Sequence, residues 1–93
     1  MIESIRHKGL KLLWEKDDSS KLPSMQVDKI RRILTALDIL KSLDPLRHVP
    51  GYRLHALRGQ LKGFYSVSVT GNYRIIFRFE EENVLDIDYI DYH

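Results

Sequence analysis

Between residues 27 and 40 the apolar side chains return every three or four positions. Val27, Ile30, Leu34 and Leu37 form one stripe, widened by Ile33 and Leu40 and continued by the stem of Lys41. That period predicts an amphipathic helix buried along one face. Ser24 is its expected N-cap, with Pro23 just before it. Asp28 lies near the positive end of the helix dipole, and Leu43-Asp44-Pro45 is read as the stop. A shorter helix is predicted earlier, where Leu10, Leu13 and Trp14 share a face between His7 and about Lys16. Ahead of it, Ile2 and Ile5 suggest a short edge strand. "DDSSKLPS" behind it is a loop by composition.

Beyond "RHVPG" the period changes from about 3.6 to 2. "YRLHAL" sets Tyr52, Leu54 and Ala56 against Arg53, His55 and Leu57. "FYSVSV" sets Tyr65, Val67 and Val69 against Phe64, Ser66 and Ser68, and Gly71-Asn72 is read as a two-residue hairpin turn. In "YRIIFRF", Tyr73, Ile75, Phe77 and Phe79 oppose Arg74, Ile76 and Arg78. A second polar turn over Glu80–Asn83 leads into "VLDIDYI". Two helices followed by hairpin-linked strands predict an α+β fold, with both helices on one face of an antiparallel sheet. At 93 residues, the chain is expected to form one domain over 1–93.

Composition narrows the class. Apolar content of 43% argues against intrinsic disorder, and the absence of cysteine excludes disulfide staples and thiolate metal sites. No signal peptide or membrane-length run is found, so a soluble, cytoplasmic protein is expected. The net charge of +2 hides an asymmetry: residues 1–62 hold 13 Lys/Arg against 7 Asp/Glu, and residues 63–93 hold 2 against 6. A basic larger part beside an acidic smaller one suits an anionic partner, although helices rich in lysine produce the same numbers.

The polar side of the sheet carries the candidate chemistry. Taken singly, each residue has an ordinary reading. Arg78 can pair with Asp86 or Asp88 across the sheet, Arg53 and Arg74 can be solvated, His55 can be a hydrogen-bonded structural histidine, and His93 a loose end. Together, two imidazoles, two guanidiniums, a carboxylate and a phenol fit metal-free phosphodiester cleavage. That reaction needs a base for the 2′-hydroxyl, an acid for the leaving oxygen and fixed positive charge on the phosphorane. Histidine fills either proton role, arginine presents a fork to phosphate, and tyrosine stacks on an unpaired base. "GQLKG" and "VTG" lack the spacing of a phosphate loop, and neither a metal nor a cofactor is expected.

"HKGLKLLWEK", "YRLHALRG" with the following "GFYSVSV", "NYRIIFRF" and the closing "IDYIDYH" together resemble the HigB toxins, of the RelE-type branch of bacterial toxin–antitoxin systems. The resemblance runs over essentially the whole chain. It implies a RelE-like, microbial-ribonuclease-like fold with two helices on a curved sheet. It also implies a ribosome-dependent endoribonuclease that cuts messenger RNA in the decoding site and is neutralised by a HigA antitoxin. By position, His55 matches the histidine of the family's "LH-x-L-[KR]-G" strand and Arg74 the arginine after the hairpin. Asp91, Tyr92 and His93 match the terminal "DYH". Arg58 stands where relatives often carry lysine. An arginine there does not shuttle protons, so position 58 is expected only to stabilise charge in the transition state. Proton transfer falls to His55 and His93, with Asp91 orienting or assisting one of them.

Two rivals belong to other classes. One is a non-catalytic toxin resembling the gyrase-inhibiting ParE proteins, which has no need of the His55, Arg74 and His93 set. The other is a plain RNA- or DNA-binding module using the basic first two-thirds. For the antitoxin surface, Leu12 and the basic helix face around Lys29, Arg31 and Arg32 are the candidates, with an ordinary solvated surface as the alternative.

Overall fold

The computed structural model describes residues 1–91; Tyr92 and His93 lie outside the described residues. Helix α1 spans Lys8–Lys16 and α2 spans Val27–Asp38, with a four-residue α3 over Asp44–Arg47. Strands β1 (His55–Ala56), β2 (Tyr65–Ser68), β3 (Tyr73–Glu80) and β4 (Asn83–Asp91) form one antiparallel sheet in chain order. Ile2 and Ile5 bridge to Val84 and Ile87 in the parallel sense, so the first residues lie along the outer edge of β4. The predicted α+β architecture is the observed one.

Each helix begins and ends for local reasons. His7 caps α1, its Nδ1 accepting the Leu10 N–H at 3.2 Å. Asp17 closes the helix in the left-handed region at φ 54°, its N–H returning to Leu13 O at 3.1 Å, a conformation aspartate tolerates better than most residues. Gly9 is needed for close approach, because a Cβ there would lie 3.1 Å from Lys21 Cβ and 3.2 Å from Leu22 Cδ2. At α2, Ser24 does not cap. Residues Ser24–Gln26 form a single 3₁₀ turn that feeds into the helix without a side-chain cap. The helix also stops at Asp38, short of the Leu43–Pro45 signal, and the chain turns so that Leu40 is buried. Asp38 instead receives the Ile2 N–H at 3.1 Å, tying the first residues to the helix end. Pro45 then sits in the first turn of α3, where its missing N–H costs nothing.

The core lies between the helices and one face of the sheet. Leu10, Leu13, Ile30, Ile33, Leu34 and Leu37 meet Val67, Ile75, Phe77, Val84 and Ile87. The sheet curls because β4 carries an extra residue opposite β3 between Ile76 and Arg78, and Asp86 sits at φ 54° in that bulge. Bulges add local twist. No helix among the described residues is long and apolar enough to cross a membrane.

Candidate active site

Strand alternation decides which side chains can meet on the face away from the helices. His55 lies opposite Ser66, Ser66 opposite Ile76, and Ile76 opposite Asp88. The next row on this face holds Ser68, Arg74 and Ile90. A small apolar cluster of Leu57, Phe64 and Ile76, with Leu61 and Ile90 against it, floors the same surface.

Arg74 is the best-anchored cation of this face. Its Nη1 donates to Ser68 Oγ at 3.1 Å and to Ser66 Oγ at 3.4 Å, and both serines are buried. Ser66 is also the direct cross-strand neighbour of His55, so the guanidinium reaches toward the imidazole's row. The exposed His55 ring is held by Nδ1 against Arg53 O at 3.1 Å, a contact in which Nδ1 carries the hydrogen, because a carbonyl oxygen only accepts. Nε2 is then the atom turned to solvent chemistry. Arg58 is exposed just beyond β1, preceding the 3₁₀ turn Gly59–Leu61, and with His55, Leu57 and Leu61 it lines an open pocket of about 290 Å³.

Of the residues singled out from the sequence, His55, Arg58 and Arg74 therefore share one surface. Asp91 does not join them by register: it lies opposite Tyr73, so its side chain belongs to the row of Tyr73 and Tyr89 on the helix side. Tyr92 and His93 lie outside the described residues. Arg78 bridges to Glu80 at 2.6 Å and to Asp86 at 4.0 Å, which is the structural reading, with Asp86 rather than Asp88 as the cross-strand partner.

"YRLHAL" is the largest departure from the sequence reading. Only His55–Ala56 is strand, because Arg53 adopts φ 49° and breaks the extended run. Tyr52 turns into the main core, where its carbonyl accepts the Ser68 N–H at 2.7 Å. The hairpin between β2 and β3 is also longer than Gly71-Asn72. Val69 N–H reaches Tyr73 O at 2.8 Å, leaving Thr70–Asn72 as a three-residue loop, and Thr70 Oγ1 accepts from Asn72 N and Tyr73 N. This serine/threonine-type turn supplies hydrogen bonds that a two-residue turn would lack.

The side chains nobody would pick out by spacing are Ser66 and Ser68. Their signal is "SVSV" itself, two hydroxyls on the face opposite Val67 and Val69, in the strand that pairs with Arg74. His7 is a helix cap and an aromatic partner, its ring edge-on to Tyr89 at 5.3 Å.

The chain's relatives are toxins. Residues 3–93 match a family described as the RelE-like toxin of type II toxin–antitoxin system HigB. The chain is 41% identical over its full length to the endoribonuclease HigB of Proteus vulgaris, all of which it covers. It is 34% identical to the toxin HigB-1 of Vibrio cholerae, the match covering all of this chain and 98% of that one. Among solved structures, the YoeB–YefM complex from Staphylococcus aureus contains a chain that superposes with a TM-score of 0.62 at 18% identity, over 100% of this chain and 95% of that one. That last likeness is one of fold.

Proposed function

The chain belongs to the RelE-like HigB toxins of type II toxin–antitoxin systems, and from that membership we propose that it is a ribosome-dependent endoribonuclease whose active surface is the sheet face carrying His55, Arg58 and Arg74. A type II toxin has a protein antitoxin as partner, here of the HigA kind. The observation that carries the assignment of the site is the anchoring of Arg74 by Ser66, the cross-strand neighbour of His55. A fixed guanidinium beside an exposed imidazole is what a phosphorane-forming reaction requires.

In the proposed reaction the 2′-hydroxyl of the messenger attacks the adjacent phosphate. A base removes its proton as the new O–P bond forms, and an acid protonates the departing 5′-oxygen as the old O–P bond breaks. The products are a 2′,3′-cyclic phosphate and a free 5′-hydroxyl. His55 Nε2 takes one proton-transfer role. His93 takes the other on sequence grounds, with Tyr92 stacking on a base and Asp91, at the end of β4, orienting that terminus. Arg74 and Arg58 stabilise charge on the non-bridging oxygens; neither gives up a proton.

Mapping RNA ends after brief induction tests this. Cuts confined to translated messages, bearing 5′-hydroxyls and absent for His93→Ala, are expected. Ends carrying 5′-phosphates would refute the chemistry, and growth arrest without new RNA ends would refute the nuclease.

A further inference from the structure

Beside the His55–Arg58 pocket lies a second, of about 260 Å³, whose walls include Lys29, Gly51, Arg53, Ser68, Thr70 and Arg74. Its lining is one-sided, with three cations and two hydroxyls, and among the described residues no carboxylate contributes to it. Four other arginines carry a counter-charge: Arg6 and Arg78 share Asp86, Arg31 pairs with Asp17, and Arg47 with Asp44. Lys29 and Arg53 have no carboxylate within ion-pair reach among the described residues. Bringing Lys29 and Arg53 to one pocket costs free energy, which an incoming anion returns.

The backbone points the same way. Arg53 occupies φ 49°, a region that non-glycine residues seldom use, next but one to Gly51 at φ 86°. Strained conformations persist where the surroundings over-determine them, and they concentrate at functional sites. Arg53 is tied on both sides, through Tyr52 O to Ser68 N at 2.7 Å and through its own carbonyl to His55 Nδ1 at 3.1 Å. Lys29 is presented from α2 with its Nζ 5.9 Å from the Tyr52 ring centroid. Thr70 Oγ1 already accepts two backbone N–H groups, which leaves its hydroxyl hydrogen to donate.

We propose that this pocket is a second phosphate subsite, in which Lys29, Arg53 and the Thr70 hydroxyl hold an RNA backbone phosphate next to the one that reacts at His55 and Arg74. Which phosphate it takes rests on the nuclease reading above, but the binding itself does not. Backbone phosphates carry no sequence information, so the subsite contributes affinity and register rather than base choice.

Titration with a hexanucleotide RNA that is 2′-O-methylated throughout, followed by backbone amide chemical shifts, tests the subsite without cleavage. Saturable shifts are expected at Gly51, Arg53, Ser68 and Gly71. Lys29→Gln with Arg53→Gln should weaken binding about tenfold or more. It should also make the slope of log K against log salt shallower by about 0.7, the loss of one phosphate contact on a single strand. Lys29→Gln alone should move both in the same direction by less. Absence of those shifts in the wild type overturns the proposal, as does an equal loss from the charge-matched pair Lys11→Gln and Lys16→Gln on α1. If this binding holds while no RNA ends appear in cells, the nuclease reading fails and the subsite stands. If ends appear and the double variant binds like the wild type, the reverse is true.

Discussion

Strand β3 gives Ile75 and Phe77 to the helix side of the sheet and Arg74 and Ile76 to the other, so two unlike surfaces are built from one run of sequence. The helix side is a continuous apolar cluster reaching from Leu10 to Ile87, with Phe77 and Ile75 completely buried. The other side buries only Leu57, Phe64 and Ile76 as an apolar floor and surrounds them with arginines, serines and one exposed imidazole. The first surface supplies the stability that lets the second gather like charges and hold Arg53 in a strained conformation. Because strand alternation has a period of two, a one-residue slip of β3 would put Arg74 into the core and Phe77 onto the polar face. The hydrophobic face therefore sets the register of the polar one.

The largest blow to this division is a cavity on the stable side. Phe77→Ala is expected to cost about 3–5 kcal/mol. That is a large part of the roughly 5–15 kcal/mol available to a domain, and urea denaturation would show it as a lower midpoint. Cleavage should fall only as the folded fraction falls. His55→Ala is the opposite case. If His55 has the proposed proton-transfer role, its removal is expected to lower single-turnover cleavage by about 10²–10⁴-fold. The exposed ring leaves the denaturation midpoint within about 0.5 kcal/mol of its original stability. Arg74→Lys follows, with a loss on the order of 10²-fold. Lysine keeps the charge but not the fork that reaches the serine hydroxyls and, in the proposed reaction, the phosphate. If Arg74→Lys cleaves like the wild type, positive charge alone is sufficient at that position and the serine anchoring is incidental.

The two surfaces also differ in how far the sequence announced them. The helix-side core is written in periodicity. The stripe Ile30, Ile33, Leu34 and Leu37 is buried as predicted, as are Ile75 and Phe77 in the strand pattern, because burial needs only the right residue at the right interval. The polar turn over Glu80–Asn83 is also where expected. The candidate active surface is less legible, since it depends on breaks in periodicity. Alternation through "YRLHAL" predicts a strand, but Tyr52 gains more by entering the core than by continuing the ladder, and the chain kinks at Arg53 to permit it. The same kink brings Arg53 to the pocket beside Lys29, a residue of a distant helix that no local spacing connects to it. Gly71-Asn72 misleads for a similar reason: the preceding Thr70 side chain organises the turn. Family resemblance named His55, Arg58 and Arg74 as site residues, yet it gave no role to the two serines of its own "GFYSVSV" motif, which hold Arg74 in place.

The smallest predicted effect asks whether the two faces are independent. Tyr89 lies on the helix side, stacked on Tyr73 at 5.2 Å, with its hydroxyl donating to Gln26 Oε1. Burial above all, then the neighbouring Tyr73 and Asp91, pushes its phenol up to about 12. An unfolded tyrosine ionises near pH 10. Between those values the unfolded chain has released a proton that the folded chain keeps, so the unfolded state binds fewer protons and stability falls as pH rises. The contribution is fully present below about pH 10 and is lost on approaching pH 12. Tyr89→Phe should cost about 1 kcal/mol at neutral pH through the lost hydrogen bond. It should also flatten the alkaline fall in stability, and it should leave cleavage by the folded protein unchanged. Asp91 is the reason the last outcome is informative, since it shares the row of Tyr73 and Tyr89 while leading directly into Tyr92 and His93. A drop in cleavage on removing one hydroxyl from the helix side would mean that the terminus is positioned through that row, and that the catalytic surface begins on the stable face.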